Sequence, residues 1–262
     1  MQIKAFGQSD VGRVRSSNED AWAVFTDLRF FVVADGMGGH AAGEIASHMA
    51  VDTMHDFIKM SLQSSEVTWP ADTDRNLPIP IRRLVAAGKL ANEKIFQASR
   101  SNPKLNGMGT TMVAILIDQD TAHVAHVGDS RAYLFRNGRI DRLTEDHSLI
   151  NDYIQQGLLK IEEANQHPLK HVITRALGSA VKVEVDIKSV PLREGDALLL
   201  CSDGLSNLLT DDELITISRD SLKEPRTVCQ RLIDTANEKG GEDNVTVVFI
   251  SSQAGDPLQP NL

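Results

Sequence analysis

Short apolar runs alternate with turn residues over the first part of the chain. "IKAF", "AWAVF" and "RFFVVA" fall within residues 3–34, with "TDL" a tight connection between the last two, and this pattern predicts strands. The period then changes. From Gly43 to Lys59, Ala46, Met49, Ala50, Met54, Phe57 and Ile58 recur near helical spacing while Glu44, His48, Asp52, His55 and Lys59 fall on the other side, which predicts an amphipathic helix. "SSEVTWPADTDRNLPIP", with its scattered polar residues and prolines, predicts a loop. A second helix is expected over about Ile81 to Ser99, with Leu84, Ala87, Leu90, Ala91 and Ile95 on one face.

Strand patterns return in "TTMVAILI", "TAHVAHVGD" and "RAYLFRNGRIDRLT", where Asn137-Gly138 between alternating runs is a two-residue hairpin signal. Residues 146–178 lose that pattern and read as a mobile, mostly helical insertion ending at "VITRALGS". "VEVDIKSVPL" and "GDALLLCSDG" follow, then short helices over about 211–238 and a closing strand, "NVTVVFIS". The tail "QAGDPLQPNL", residues 253–262, reads as disordered. Strands running into strands, with helices inserted in pairs, predict antiparallel sheets covered by helices within one domain spanning 1–252.

Composition narrows the classes. A chain of 262 residues, 41% hydrophobic and 24% charged, can bury a large core. No apolar run approaches the roughly 18 residues of a membrane span, and "MQIKAFGQSD" lacks the features of a signal peptide. A cytoplasmic location without membrane contact is therefore expected. The formal net charge of -9 argues against broad nucleic-acid binding, which needs a basic footprint, and suits a cation-binding site. Cys201 and Cys229 are too few for a disulfide framework and read as buried thiols. Neither is followed six residues later by the arginine of a cysteine-dependent phosphatase, since position 207 is Asn and position 235 is Thr.

The acidic residues carry the candidate chemistry. In "FFVVADGMGGHAAGE" an apolar run meets Asp35 just before three glycines. Glu19 and Asp20 precede "AWAVF", Asp129 follows "HVAHVG", Asp203 follows "LLLCS", and Asp243 precedes "NVTVVFI". Each lies where a strand meets a turn. An Asp-Gly junction is by itself an ordinary turn. If these ends share one rim, however, the carboxylates repel one another unless cations or protons lie between them. Oxygen ligands without a matching Cys or His set select hard ions such as Mg2+ or Mn2+.

"RSSNED" (15–20), "VVADGMGGH" (32–40), "GMGTT" (107–111), "HVGDSRAYL" (126–134), "LTEDHS" (143–148), "VITRALG" (172–178), "LLLCSDGLSNLL" (198–209) and "GGEDNVTVV" (240–248) occur in this order. Together they resemble the metal-dependent protein Ser/Thr phosphatases, type 2C, in their bacterial form. The resemblance runs over about residues 5–250. It implies an α+β fold, a four-layer α-β-β-α sandwich of two antiparallel sheets flanked by helix pairs, with residues 146–178 as a variable flap. It also implies two Mn2+ or Mg2+ ions in a cleft at one end, with a weaker third.

Carried over by motif, Asp35 would bridge the two ions and the Gly36 carbonyl would assist one of them. Asp203 and Asp243 would complete the other, and Glu19 and Asp20 would hold metal-bound water. Asp129 with Asp203 matches the third, weaker site. Arg15 matches the phosphate-binding arginine, whose planar fork suits a phosphoryl group. Many eukaryotic members carry a histidine, a proposed general acid, where Met37 stands here; His40 follows the glycines instead and is the catalytic acid candidate, with a metal-bound water as the alternative.

The activity so implied is hydrolysis of phosphoserine and phosphothreonine in proteins by a metal-activated water. The expected partners are phosphorylated proteins, including a eukaryotic-like Ser/Thr kinase and its substrates, met by a monomer. Two alternatives stand beside it: a phosphatase dedicated to an anti-sigma-factor antagonist, and a non-catalytic phosphoprotein-binding relative, whose sign would be missing ligands. Among the remaining candidates, His48 and His55 read as solvated, His123 and His126 as structural, and His147 and His171 as flap residues that are solvated or touch substrate. Arg175 reads as a structural ion pair.

Overall fold

The computed structural model describes residues 1–38, 42–64, 67–160, 163 and 167–253. Two sheets result, and every pairing in them is antiparallel. The first contains β1 (Gln2–Asp10), β7 (Arg131–Arg136), β8 (Arg139–Arg142), β10 (Ala197–Cys201) and β11 (Val245–Gln253), in the order β1-β11-β10-β7-β8. The second contains β2 (Asp20–Phe25), β3 (Phe30–Met37), β5 (Met112–Asp118), β6 (Thr121–Val127) and β9 (Asp186–Pro191), in the order β2-β3-β5-β6-β9, with the short β4 (Gly109–Thr110) attached to β3. The β7–β8 hairpin turns at Asn137 and Gly138, both with positive φ (51° and 73°), as its Asn-Gly sequence predicts.

Three apolar clusters define four layers. Phe31, Val33, Val113 and Ile115 of the second sheet meet Leu134, Leu198, Leu200 and Val248 of the first, filling the space between sheets. The alternate residues of the same strands, Phe30, Val32 and Ala114, face Ala46, Ala50, Met54, Leu84, Ala91 and Ile95 of α1 (Ala42–Gln63) and α2 (Ile79–Ser101). On the far side Leu199, Val247 and Phe249 pack against Leu214, Val228, Leu232 and Ile233 of α4 (Asp211–Ser218) and α5 (Pro225–Glu238). The period of two in the strands thus feeds two interfaces at once, which is why "FFVVA" reads as a continuous apolar run. The expected sandwich is the one observed.

Two element ends and one segment differ from the sequence reading. The first helix runs to Gln63, past Lys59, and β11 extends to Gln253, the first residue of the expected tail; the rest of that tail, 254–262, lies outside the described residues. The expectation of a mostly helical 146–178 segment is overturned: among the described residues one extended helix forms, α3 (Leu149–Gln155), capped by the Ser148 hydroxyl. The remainder is held by turns and by the isolated bridges Ser148↔Ile173 and Thr110↔Leu177, which give no helical spacing to the sequence.

Candidate metal centre

At one end of the sandwich a cavity of about 980 Å³ is lined by Arg15, Glu19, Asp35, Gly36, Asp129, Asp203 and Asp243, with Glu242 adding a further carboxylate. All but two of the sequence-predicted site residues therefore reach one cavity. Asp20 stands behind its wall, and His40 lies outside the described residues. The 146–178 segment contributes Lys170, His171 and Ile173 to the rim.

The β2–β3 register places Asp20 directly opposite Asp35, two like charges on neighbouring strands, an arrangement that is destabilising without a counterion. Asp35 lies inside β3, two residues before its end, rather than at the strand end as its sequence setting suggested. Its backbone is fixed by two threonines: the Asp35 N–H donates to Thr111 Oγ1 at 3.0 Å, and its carbonyl accepts from Thr110 Oγ1 at 2.8 Å and from the Thr111 N–H at 2.8 Å. The next residue must be small. A Cβ on Gly36 would stand 2.2 Å from the Gly43 carbonyl oxygen and 2.4 Å from that of Glu19, so the start of α1 can close onto the acidic strand only with glycine at both 36 and 43.

Asp20 is 6% exposed, and its Oδ2 accepts from Thr246 Oγ1 at 2.6 Å and Ser202 Oγ at 2.9 Å. Its Oδ1 is buried with no hydrogen-bond partner. Asn244 ties the rest of the N-terminal segment to the site: its Oδ1 accepts from the Glu19 N–H at 2.8 Å, and its Nδ2 donates to the Val11 and Ser17 carbonyls at 3.0 and 2.9 Å. Arg15 is drawn in through Asp243, its Nη2 donating to Oδ2 at 2.8 Å, while Asp243 Oδ1 accepts from the Asn244 N–H. The family resemblance assigns these two residues separate roles; here they are paired. Thr111, Ser202, Thr246 and Asn244 escaped the sequence reading because neutral hydrogen-bonding residues carry no charge pattern. Their place within the motifs "GMGTT", "LLLCSDGLSNLL" and "GGEDNVTVV" was the available signal.

The electrostatics are those of a site short of positive charge. Burial, and then the charges of Asp20, Asp203, Asp129 and Asp243, push Asp35 well above the usual carboxylate range. Burial raises Asp20 to about 7, with Asp203 and Asp243 adding to it and the Thr246 and Ser202 hydroxyls opposing. Asp129 is likewise raised to about 7 by burial and by Asp203 and Asp146. Asp203 and Glu19 are raised too, chiefly by burial and next, for Asp203, by Asp243. A buried orphan oxygen among carboxylates that resist ionisation fits divalent cations, and the all-oxygen donor set fits hard ones.

Among the described residues, one trio of His, Asp, Glu or Cys has ligand atoms all within 4.8 Å of one another: His126, His147 and Asp186, away from this cavity. The cavity's carboxylates are spread more widely. Hard ions keep several waters, and ligands reached through water stand farther apart than direct ones.

Of the histidines, His123 bonds Ser189 Oγ at 2.8 Å and His126 donates to the Glu145 carbonyl at 2.8 Å, both structural as expected. Arg175 pairs with Asp186 at 2.5 Å, also as expected. His147, by contrast, is buried at 8% exposure and bonded to Gly128, so it is neither solvated nor at the rim. His55 is half-buried and stacks on Phe25, with ring centroids 4.1 Å apart, where a solvated face was expected.

The family model for protein phosphatase 2C matches residues 11–243. The serine/threonine phosphatase stp of Listeria monocytogenes is 41% identical over 253 residues, covering 93% of each chain. Among solved structures, the serine/threonine phosphatase PstP/Ppp of Mycobacterium tuberculosis superposes with a TM-score of 0.84 at 34% identity, over 96% of this chain and 99% of that one. The catalytic domain of PstP in complex with two manganese ions does so with a TM-score of 0.80 at 34% identity, again over 96% and 99%. A match that spans every acidic residue of the cavity rim, carried by relatives aligned along nearly their whole length, makes this chain a member of the protein phosphatase 2C family.

Proposed function

We propose that this chain is a metal-dependent protein Ser/Thr phosphatase whose single domain, through β11, removes phosphate from phosphoserine and phosphothreonine. The observation that carries the reading is the convergence of Glu19, Asp35, Asp129, Asp203 and Asp243 on one cavity, with the orphaned Asp20 Oδ1 behind it and one arginine at its edge. Asp20, Asp35, Asp203 and Asp243, with Glu19 and the Gly36 carbonyl, are the residues that would hold two ions. Asp129, with Asp203, would hold a weaker third. Mn2+ or Mg2+ bound there supplies Lewis acidity toward water and the phosphoryl oxygens.

The chain's own groups do the remaining work. Thr110 and Thr111 fix the Asp35 backbone, and Ser202 and Thr246 orient the Asp20 carboxylate by engaging one oxygen and leaving the other free. Arg15 is more than half exposed at its side chain and reaches the cavity from the edge. Released from Asp243, its guanidinium presents two parallel N–H groups to a substrate phosphoryl. His171, on the rim, and His40 are the histidines offered as proton donors to the leaving alkoxide.

By analogy within the family, the substrates include a Ser/Thr kinase and the proteins it phosphorylates in the cytoplasm, and the enzyme acts as a monomer. The test is phosphate release from a phosphothreonine peptide and a phosphotyrosine peptide, each with Mn2+, Mg2+ or EDTA. Turnover of the phosphothreonine peptide that vanishes in EDTA and returns with either ion is expected. Full turnover in EDTA overturns the metal-dependent reading, and a preference for phosphotyrosine overturns the substrate class.

A further inference from the structure

His126, His147 and Asp186 have the spacing of a metal site, but their hydrogen bonds exclude one. A neutral imidazole carries one N–H. The Gly128 N–H donates to His147 Nδ1 at 3.0 Å, so the ring's proton sits on Nε2, the nitrogen that faces Asp186 Oδ2 at 3.2 Å. A protonated nitrogen cannot ligate. The His126 and His147 rings stack 4.7 Å apart at 18°, so their in-plane lone pairs run side by side instead of converging. Asp186 is already engaged by Arg175.

What the cluster does hold is the turn that carries Asp129. His147 bonds Gly128 twice, through its side chain and through its own N–H to the Gly128 carbonyl at 3.0 Å. On the other side, Gly128 has φ +105° and lies so close to Thr111 that a Cβ would come within 2.7 Å of that side chain. Thr111 Oγ1 is 2.7 Å from Ser130 Oγ and also accepts the Asp35 N–H. Residues 128–130 are therefore gripped between the threonine that fixes Asp35 and the histidine that β9, through Asp186, holds in place.

We propose that His147, oriented by Asp186 and Arg175, is a positioning residue for Asp129: by clamping Gly128 it aims the Asp129 carboxylate into the cavity and sets the affinity for the weaker third cation. This rests on the reading, given above, that Asp129 binds that ion. Outer-shell partners of metal ligands typically contribute about 10- to 100-fold in affinity or activity, and the clamp is expected to act on that scale.

The test compares His147→Phe, which keeps the stack on His126 but removes the acceptor for the Gly128 N–H, with His147→Asn, whose Oδ1 stands near the place of Nδ1. Mn2+ binding is followed by calorimetry, and turnover of a phosphothreonine peptide is measured against Mn2+ concentration. His147→Phe should keep two tight ions yet need about 10- to 100-fold more Mn2+ for half-maximal rate. His147→Asn should return most of the way to wild type, and Asp186→Asn should shift in the same direction as His147→Phe by less, a readout that survives if His147→Phe does not fold. An unchanged Mn2+ dependence in the folded variants overturns the clamp. Zn2+ binding that persists in Asp35→Asn but disappears in the His147 variants overturns it in favour of a metal site. Asp129→Ala separates the two readings: wild-type Mn2+ dependence there removes the third-ion assignment itself, whereas a large shift there alone removes only the role of His147.

Discussion

Asp196 and Asp35 are both aspartates of this sandwich, but their surroundings are opposite. Asp196, 3% exposed, accepts from Arg136 Nε at 2.9 Å and Nη2 at 2.6 Å and from the Arg193 N–H at 2.7 Å, so its charge is matched at once by a bidentate guanidinium. Asp146 is matched twice, by Arg131 and Arg142. At Asp186 the upward push of burial is overcome by hydrogen bonds and charge from His147 and Arg175, and the carboxyl lies below its ordinary value. At Asp35 burial is reinforced by four other carboxylates and the shift runs upward. The fold pairs these structural acids with arginine and, apart from Asp243 beside Arg15, leaves its cavity acids to be paired by something from solution. Uncompensated charge, rather than buried charge as such, marks the working end of the molecule.

Breaking one member of each region should give opposite results. Asp35→Asn should lower kcat/KM on a phosphothreonine peptide by at least about 100-fold, the upper end of what an outer-shell partner is worth, and should raise Tm in EDTA by removing a repelling charge. Asp196→Asn should leave turnover per folded molecule intact. Its cost should be about 3 kcal/mol, the low end for breaking a buried pair, because the Arg136 side chain keeps 20% exposure. That corresponds to a Tm lower by about 6–12 °C. Calorimetric melting beside turnover checks both, and an Asp35→Asn protein that is active but less stable would erase the distinction.

Among the described residues Arg15 is the one arginine paired with a cavity acid, so it tests the border between the regions. Arg15→Ala should raise KM by about 10- to 150-fold, the equivalent of about 1.5–3 kcal/mol for a hydrogen bond to a charged group. Freeing Asp243 from an exposed ion pair worth about 0.2–1 kcal/mol should also tighten Mn2+ binding, by at most about fivefold. Unchanged KM with tighter Mn2+ would make Arg15 a gate on Asp243 alone.

The same contrast should appear in the pH dependence of stability. Asp20 and Asp129 are raised from the ordinary 3.8 to about 7 in the folded protein, so between those values the native state holds protons that the unfolded chain has lost. Stability from these protons is full below about pH 4 and is lost as pH rises toward 7. Without metal, Tm should therefore fall over that window. With saturating Mn2+ the trend should reverse, since ions replace the protons. A flat metal-free profile would mean that the cavity acids are already compensated.

Much of this division was legible in the sequence. The strands, both long helices and the acidic strand ends follow from apolar period and turn residues, and the family resemblance carried by the ordered motifs brings Asp35, Asp203 and Asp243 together. The 146–178 segment was misread because its shape comes from two isolated bridges and turns. His147 reads as a flap residue, solvated or touching substrate, for a related reason. Its partners, Gly128 in the turn after β6 and Asp186 in β9, lie 19 and 39 positions away in opposite directions along the chain, and no local pattern announces such a meeting.

The first sheet holds one more consequence, in the order in which a growing chain becomes an enzyme. β11 pairs with β1 from Gln2↔Gln253 to Asp10↔Val245 and with β10 on its other side, so the last of the described strands to be made is the one that joins the first of them to the rest. Asp243 and Asn244 arrive with it. Until that strand has left the ribosome, β1 has no neighbour in its sheet and Asn244 is not there to dock the Glu19 segment. Contacts of such long sequence separation are slow to close. A half-made copy of this protein therefore carries most of its acidic residues but no assembled cavity, and synthesis itself withholds catalysis until the fold is complete.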